Sequence, residues 1–208
     1  VGQFNIILDY DAASTLTPTQ KAILQSAADR WSKCLSDNRS LTVTVYDFYD
    51  AVNPGSLASG GASGLDANEL PTTGLLHINS VNLNGIGYSI DTTYVASTGF
   101  TLLYYIALHE LGHALGIGTL WNYGTRHLVT DQITGISYNP APTYATWDRS
   151  LADPVYVGAM GCQKLSEVLS LGYTLTAMPV ELDGGPGTSL GHIEEAGYDV
   201  TTNPMSSR

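Results

Sequence analysis

The first quarter of the chain alternates between compact apolar runs and a longer amphipathic stretch. Residues 4–9 (FNIILD) form a short apolar run, which is typical of a buried strand. In residues 41–45 (LTVTV) apolar side chains alternate with threonines, which predicts a half-buried strand. Between them, apolar residues recur at helical spacing: Ile23, Leu24, Ala27, Trp31 and Leu35. The segment 17–20 (TPTQ) is a capping box with proline in the first turn, so we expect this helix to start there.

The pattern is less regular further along the chain. Residues 53–64 are rich in Gly, Ser and Ala and predict a loop, whereas residues 75–79 and a segment near 86–90 resemble further strands. Residues 102–115 form a long apolar segment, which predicts a helix that ends at the glycines following it. A short helix is predicted at residues 163–169. Most of the other residues from 119 onward have the composition of irregular segments, rich in proline and glycine.

This order of elements favours an α+β fold in a single domain, residues 1–208. We expect its N-terminal sub-domain, residues 1–116, to be an upper lobe of mixed sheet with two long helices. The C-terminal sub-domain, residues 117–208, is expected to be a loop-rich lower lobe. A cleft would then lie between the two lobes, at the end of the second long helix.

The second long helix carries the sequence His109-Glu110-Leu111-Gly112-His113. Residues four apart lie on one helix face, so both imidazoles can reach one metal ion. Glu110 lies about 100° further round the helix, where it is less able to ligate the metal and well placed to polarise a water molecule. The motif therefore predicts a catalytic zinc site, with Glu110 as general base and a third ligand supplied from elsewhere.

Gly116 is spaced as in the longer metzincin motif, in which the chain turns and returns a third histidine. The compact form of that motif would place histidine at position 119, where this chain has Thr119. We predict that His192 is the third ligand, because it lies in a glycine-rich stretch and Met205 follows it. A histidine followed by a turn methionine, which forms an apolar floor beneath the metal, is how metzincin sites close.

Other ligands remain open at this point. His127 is the second choice for the third ligand, Glu167 would serve in a site that uses a glutamate from a later helix, and His77 is expected to be an ordinary hydrogen-bonded residue. A calcium ion could also be held by acidic residues near the C-terminus, although scattered solvated carboxylates explain them more simply. These residues are Asp183, Glu194, Glu195 and Asp199.

Composition limits the partners and the compartment. The net charge of −11, with 8 Lys and Arg, argues against nucleic acid and anionic membranes as partners. No apolar run approaches the roughly 20 residues of a membrane span, and the chain opens at Val1 without a signal peptide. We expect a secreted or cell-surface monomer in its mature form. Cys34 and Cys162 are expected to form a disulfide in that compartment, with two buried free thiols as the alternative.

Several motifs resemble the leishmanolysin family, a branch of the metzincins in which an insertion separates the motif helix from the third zinc histidine. They are HELGHALGIGTLW (109–121), YVG (156–158), PVE (179–181) and GGPGT (184–188), the last shortly before His192. The resemblance covers roughly the second half of the chain. One departure is Ile193, where the family has tryptophan just after the third histidine.

The resemblance implies a zinc metalloendopeptidase that acts on polypeptides. It assigns His109, His113 and His192 as zinc ligands, Glu110 as general base and Met205 as the turn methionine. The alternative from a different functional class is a non-catalytic adhesion or binding module that contains zinc. An intact Glu110 argues for the enzyme, since a purely structural zinc site has no use for a general base.

Overall fold

The computed structural model of the chain describes residues 3–52, 54–83, 89–95, 98–131, 154–168, 171–181 and 192–193. The chain divides into two compact units, Val1–Ile117 and Gly118–Arg208. The elements of the first unit are, in order, β1 (Asn5–Tyr10), α1 (Pro18–Cys34), β2 (Ser40–Tyr46), β3 (Ala58–Leu65), β4 (Pro71–Ile78), a 3-10 turn (Ser80–Asn82) and α2 (Leu102–Ala114). Those of the second are β5 (Val129–Asp131), β6 (Pro154–Tyr156), α3 (Ala159–Val168) and β7 (Met178–Pro179). Helices and a mixed sheet confirm the α+β class.

The sheet of the first unit has the strand order β1-β2-β4-β3. Strands β1, β2 and β4 run parallel, and β3 is antiparallel to β4. In this register Val43 of β2 lies opposite Leu8 of β1 and Gly74 of β4. Strand β3 therefore forms one end of the sheet, next to the strand that leads toward α2.

One face of this sheet packs with α1 and α2 into a common core. The alternation of β2 turns its apolar residues toward the helices and its threonines away, as the sequence predicted. The largest side chains buried to 2% exposure or less include Ile6, Leu24, Leu41, Leu76, Ile78, Leu103 and Leu111. The indole Nε1 of Trp31 in α1 also donates a hydrogen bond of 2.8 Å to the carbonyl of Leu108 in α2. The motif helix is thus held both by apolar burial and by a partly buried hydrogen bond.

The predicted boundaries of α1 are confirmed at its start. The Oγ1 of Thr17 accepts a hydrogen bond from the Gln20 N–H, and the Gln20 side chain accepts one from the Thr17 N–H at 2.8 Å. This satisfies two backbone donors that a helix start otherwise leaves without partners. Gln20 also donates to Asp91 at 2.7 Å, which ties the start of α1 to the segment preceding α2.

The loop predicted for residues 53–64 is wrong over most of its length, because β3 occupies Ala58–Leu65. Gly60 reflects close packing rather than a turn, since β3 approaches α2 there and leaves no room for a side chain. The strand predicted for 75–79 begins earlier, at Pro71. Of the strand predicted near 86–90, residues 86–88 lie outside the described residues, and the remaining two are not in a strand.

The second unit contains a small antiparallel sheet in the order β5-β6-β7. Trp121, Val129 and Val180 form one buried cluster, and Cys162, Leu175 and Met178 form another. Helix α3 begins at Ala159, four residues before the predicted start. Strand β5 lies inside the segment predicted to be irregular, whose residues 132–153 are outside the described part of the chain.

The predicted disulfide is wrong, since both cysteines are free. Cys34 is exposed at the C-terminal end of α1, whereas Cys162 is buried in α3. The Cys162 thiol donates a hydrogen bond of 3.7 Å to the carbonyl of Tyr156, and burial raises its pKa. Cys162 therefore behaves as a small apolar core residue with a weak donor.

Candidate metal centre

The end of α2 fixes the orientation of His113. Gly116 and Gly118 adopt φ values of 94° and 77°, the left-handed conformation that glycine accepts without strain. This turn brings the carbonyl of Ile117 to 2.8 Å from Nδ1 of His113. A carbonyl oxygen can only accept, so Nδ1 carries the proton and donates. Neutral His113 is therefore held in the tautomer whose Nε2 carries a lone pair instead of a proton, the form that ligates metal ions.

His109, the other histidine of the motif, faces that lone pair. Nε2 of His109 lies 3.1 Å from Nε2 of His113, and the two rings are almost perpendicular. Two lone pairs at this distance repel each other unless a proton or a cation lies between them. With Zn–N bonds of about 2.0–2.1 Å, tetrahedral coordination separates two ligand nitrogens by about 3.4 Å. The spacing of the pair is close to what a shared zinc ion requires.

The third histidine is held by a short antiparallel bridge. Val180 pairs with Ile193, and the Glu181 N–H donates to the carbonyl of His192 at 3.0 Å. Nδ1 of His192 lies 3.5 Å from a carboxylate oxygen of Glu181. A carboxylate facing Nδ1 favours the proton on that nitrogen, which leaves Nε2 available to a metal. Carboxylate–histidine pairs of this kind orient ligands at zinc sites.

One ring nitrogen from each of His109, His113 and His192 lies within 4.8 Å of the other two. Among the described residues this is the one group of three or more His, Cys, Asp or Glu side chains that could hold a metal ion. His113 is buried, His192 is half-buried and His109 is exposed. The described residues offer three imidazoles and no fourth ligand in this group, and three protein ligands are the donor set of catalytic rather than structural zinc sites.

Glu110 lies on α2 between the two motif histidines and is partly buried. Desolvation raises the pKa of its carboxyl to about 7, and a hydrogen bond from the backbone N–H of Gly60 acts in the opposite direction. In the metal-free protein the pKa of this carboxyl group is thus near neutral pH, in the range that general bases have. A cation held at the neighbouring histidines would lower this pKa, because positive charge favours the carboxylate.

The alternative ligands lie in other surroundings. His77 stacks on Phe48 and hydrogen-bonds to its carbonyl at 2.9 Å, which is the behaviour of a structural histidine. His127 is exposed, and it does not belong to the histidine group described above. Glu167 is exposed on α3 beside Lys164, whose hydrogen bond lowers the pKa of the glutamate. Met205 and the four acidic residues considered for calcium lie outside the described residues.

The sequence pattern did not predict two of the residues at this site, Gly60 and Glu181. Gly60 was hidden in a segment that its composition assigned to a loop. Glu181 belongs to the PVE motif, but nothing in the local sequence links it to a histidine eleven positions later. The antiparallel bridge that joins them is a pairing between separate segments, and the sequence pattern carries no signal for its register.

The contact between Glu181 and His192 should contribute measurably to zinc affinity. Replacing Glu181 by glutamine keeps the side-chain length but removes the charge that holds the Nδ1 proton of His192. Loss of such a supporting partner typically lowers metal affinity about 10–100-fold, and we expect a loss in this range. Competition with a chromophoric zinc chelator measures it. Glu167→Gln is the matched control, and equal affinity of the two variants would contradict a supporting role for Glu181.

The described residues include no helix long and apolar enough to cross a bilayer.

The resemblance to the leishmanolysin family rests on the motif at 109–121 and on the shorter motifs that follow it in the sequence. No protein-family model matches the chain, and no curated protein matches it either.

Proposed function

We propose that this chain is a zinc-dependent endopeptidase of the leishmanolysin-like type. The observation that carries the proposal is the group of three histidine nitrogens. Two of these histidines, His109 and His113, flank the partly buried Glu110 in the sequence. Metal-assisted hydrolysis requires metal ligands and a general base. Here the ligands come from a helix and from a distant segment, and the base would be a carboxyl group whose pKa is raised to about 7.

His109, His113 and His192 would hold the zinc ion in this proposal. When bound, zinc acts as a Lewis acid that makes water more acidic and polarises a carbonyl group. The Ile117 carbonyl and the Glu181 carboxylate keep His113 and His192 oriented. Because these partners bind the Nδ1 atoms, neither imidazole has to reorient when the metal enters.

Glu110 performs the proton transfers. Its carboxylate accepts a proton from the attacking water molecule as the new carbon–oxygen bond forms. It then donates that proton to the amide nitrogen as the carbon–nitrogen bond breaks, so the products are a carboxylic acid and an amine. Exclusion of water around a partly buried carboxyl group strengthens its electrostatic interactions with the reacting atoms.

In the alternative, a binding module with a structural zinc, Glu110 has no role. Burying a carboxyl group costs free energy unless an interaction or a function compensates for it. Structural zinc sites also fill all four positions with protein ligands, whereas the histidine group here has three members among the described residues. Both considerations favour the enzyme.

Metal removal tests the proposal directly. We expect a strong chelator to abolish peptide hydrolysis by the purified protein, because the metal's Lewis acidity is then lost. One equivalent of zinc should restore turnover, whereas calcium should not. Hydrolysis that persists after metal analysis shows the zinc to be gone would refute the proposal.

A further inference from the structure

Strand β3 approaches α2 most closely at Gly60. A Cβ atom built on Gly60 would lie 2.3 Å from the carbonyl oxygen of Glu110 and 2.9 Å from its Cβ. Real Cβ atoms do not come this close to backbone atoms, so any other residue would push the strand and the helix apart. A Cβ built on Gly61, the next residue, meets nothing within 4 Å. The close contact is therefore specific to position 60.

A second glycine makes the matching contact one helical turn later. A Cβ built on Gly74 of β4 would lie 2.9 Å from Cβ of Ala114. Glu110 and Ala114 are four residues apart and share one face of α2. Gly74 also pairs with Ala62, two residues beyond Gly60 on β3. Together the two glycines fix which face of α2 meets the sheet, and thereby set the rotation of the helix that carries His109 and His113.

Gly60 also contacts the reactive end of the Glu110 side chain. Its backbone N–H is close enough to the carboxyl group to lower the pKa of Glu110 against the effect of burial. An N–H in this position can donate to the ionised carboxylate, and such hydrogen bonds are roughly twice as strong as those between neutral groups. The same glycine therefore fixes both the backbone of Glu110 and the direction of its side chain.

We propose that Gly60 is a positioning residue for Glu110, holding its carboxylate in one place through the N–H and through the close contact of β3 with α2. The consequence for catalysis rests on the proposed peptidase function, whereas the contact does not. A glutamate has three side-chain torsions, and an unrestrained carboxylate would spend much of its time away from the productive geometry. Gly60 removes that freedom before substrate arrives.

Kinetics of two neighbouring variants test the catalytic consequence. A displacement of about 1 Å in a catalytic group can cost about 10²-fold in rate. With zinc at a saturating concentration, we expect Gly60→Ala to lower kcat by about that factor, with KM near its original value. Gly61→Ala adds the same methyl group one residue along and should retain kcat. Equal losses of kcat in both variants, or a loss confined to KM, would overturn the proposal.

An experiment on the metal-free protein tests the contact without turnover, and so remains decisive if Gly60→Ala fails to fold. In proton–nitrogen NMR spectra recorded at a pH above 7, where Glu110 is ionised, we expect the Gly60 amide proton to move upfield in Glu110→Gln, because its acceptor loses its charge. The Gly61 amide should shift much less. A Gly60 amide that moves no more than Gly61 would overturn the contact. Since neither zinc nor substrate is present, this result is independent of whether the protein is a peptidase.

Discussion

Replacing Glu110 by glutamine is expected to lower kcat for peptide hydrolysis by about 10²–10⁴-fold, the usual contribution of general acid–base catalysis. Glutamine has almost the same shape and can still accept a hydrogen bond from the N–H of Gly60. It cannot take up a proton from water at neutral pH. The variant therefore removes the proton transfers while preserving the packing of α2 against β3.

Zinc affinity separates this explanation from a loss of the site. The three imidazoles are untouched in Glu110→Gln, so chelator competition should give a zinc affinity close to that of the original protein. Glu167→Gln supplies the control for a charge lost at the surface, since Glu167 is exposed on α3 beside Lys164. Turnover retained by zinc-loaded Glu110→Gln would eliminate Glu110 as the base.

Local patterns in the sequence were sufficient to predict α1 and α2. The capping box at Thr17 and the helical spacing behind it depend on residues within a few positions of one another. The pair His109 and His113 likewise follows from the helical repeat, and the structure places their Nε2 atoms 3.1 Å apart. Such features are encoded by short-range geometry, which a sequence displays directly.

Strand β3 is an element that the local sequence pattern did not predict. Its sequence, ASGGASGL, has neither the apolar alternation nor the β-branched residues of a typical strand. The segment is a strand because β4 supplies its hydrogen bonds, and it has glycine at position 60 because α2 leaves no space for a side chain there. Both causes involve contacts with distant parts of the chain, so composition alone predicted a loop.

The third ligand, His192, was predictable from the sequence, although not from local geometry. No spacing rule links His192 to a helix that ends at Ala114. Its selection depended on the chemistry of the missing ligand and on the family resemblance, and the ring nitrogens of the three histidines do lie within 4.8 Å of one another. Its partner Glu181 could not be found in this way, because the bridge between Val180 and Ile193 is a tertiary pairing. The turn methionine and the cleft stay predictions.

Removing the imidazole of His192 is expected to weaken zinc binding far more than removing its supporting carboxylate. Loss of an outer partner such as Glu181 typically costs about 10–100-fold in affinity. His192→Ala deletes a direct ligand and should exceed that range, with peptide hydrolysis lost at ordinary zinc concentrations. The variant leaves α2 and the Nε2 pair of His109 and His113 in place.

His127→Ala and His77→Ala are the matched controls, because each deletes one imidazole elsewhere. His77 hydrogen-bonds to the Phe48 carbonyl, so its loss should affect stability rather than zinc affinity. His127 is exposed, and its loss should change neither property appreciably. A larger fall in zinc affinity for His127→Ala than for His192→Ala would transfer the third ligand to His127 and remove the main support for a leishmanolysin-like arrangement. Zinc affinities of the three variants, measured by the same chelator competition, therefore decide which histidine completes the site.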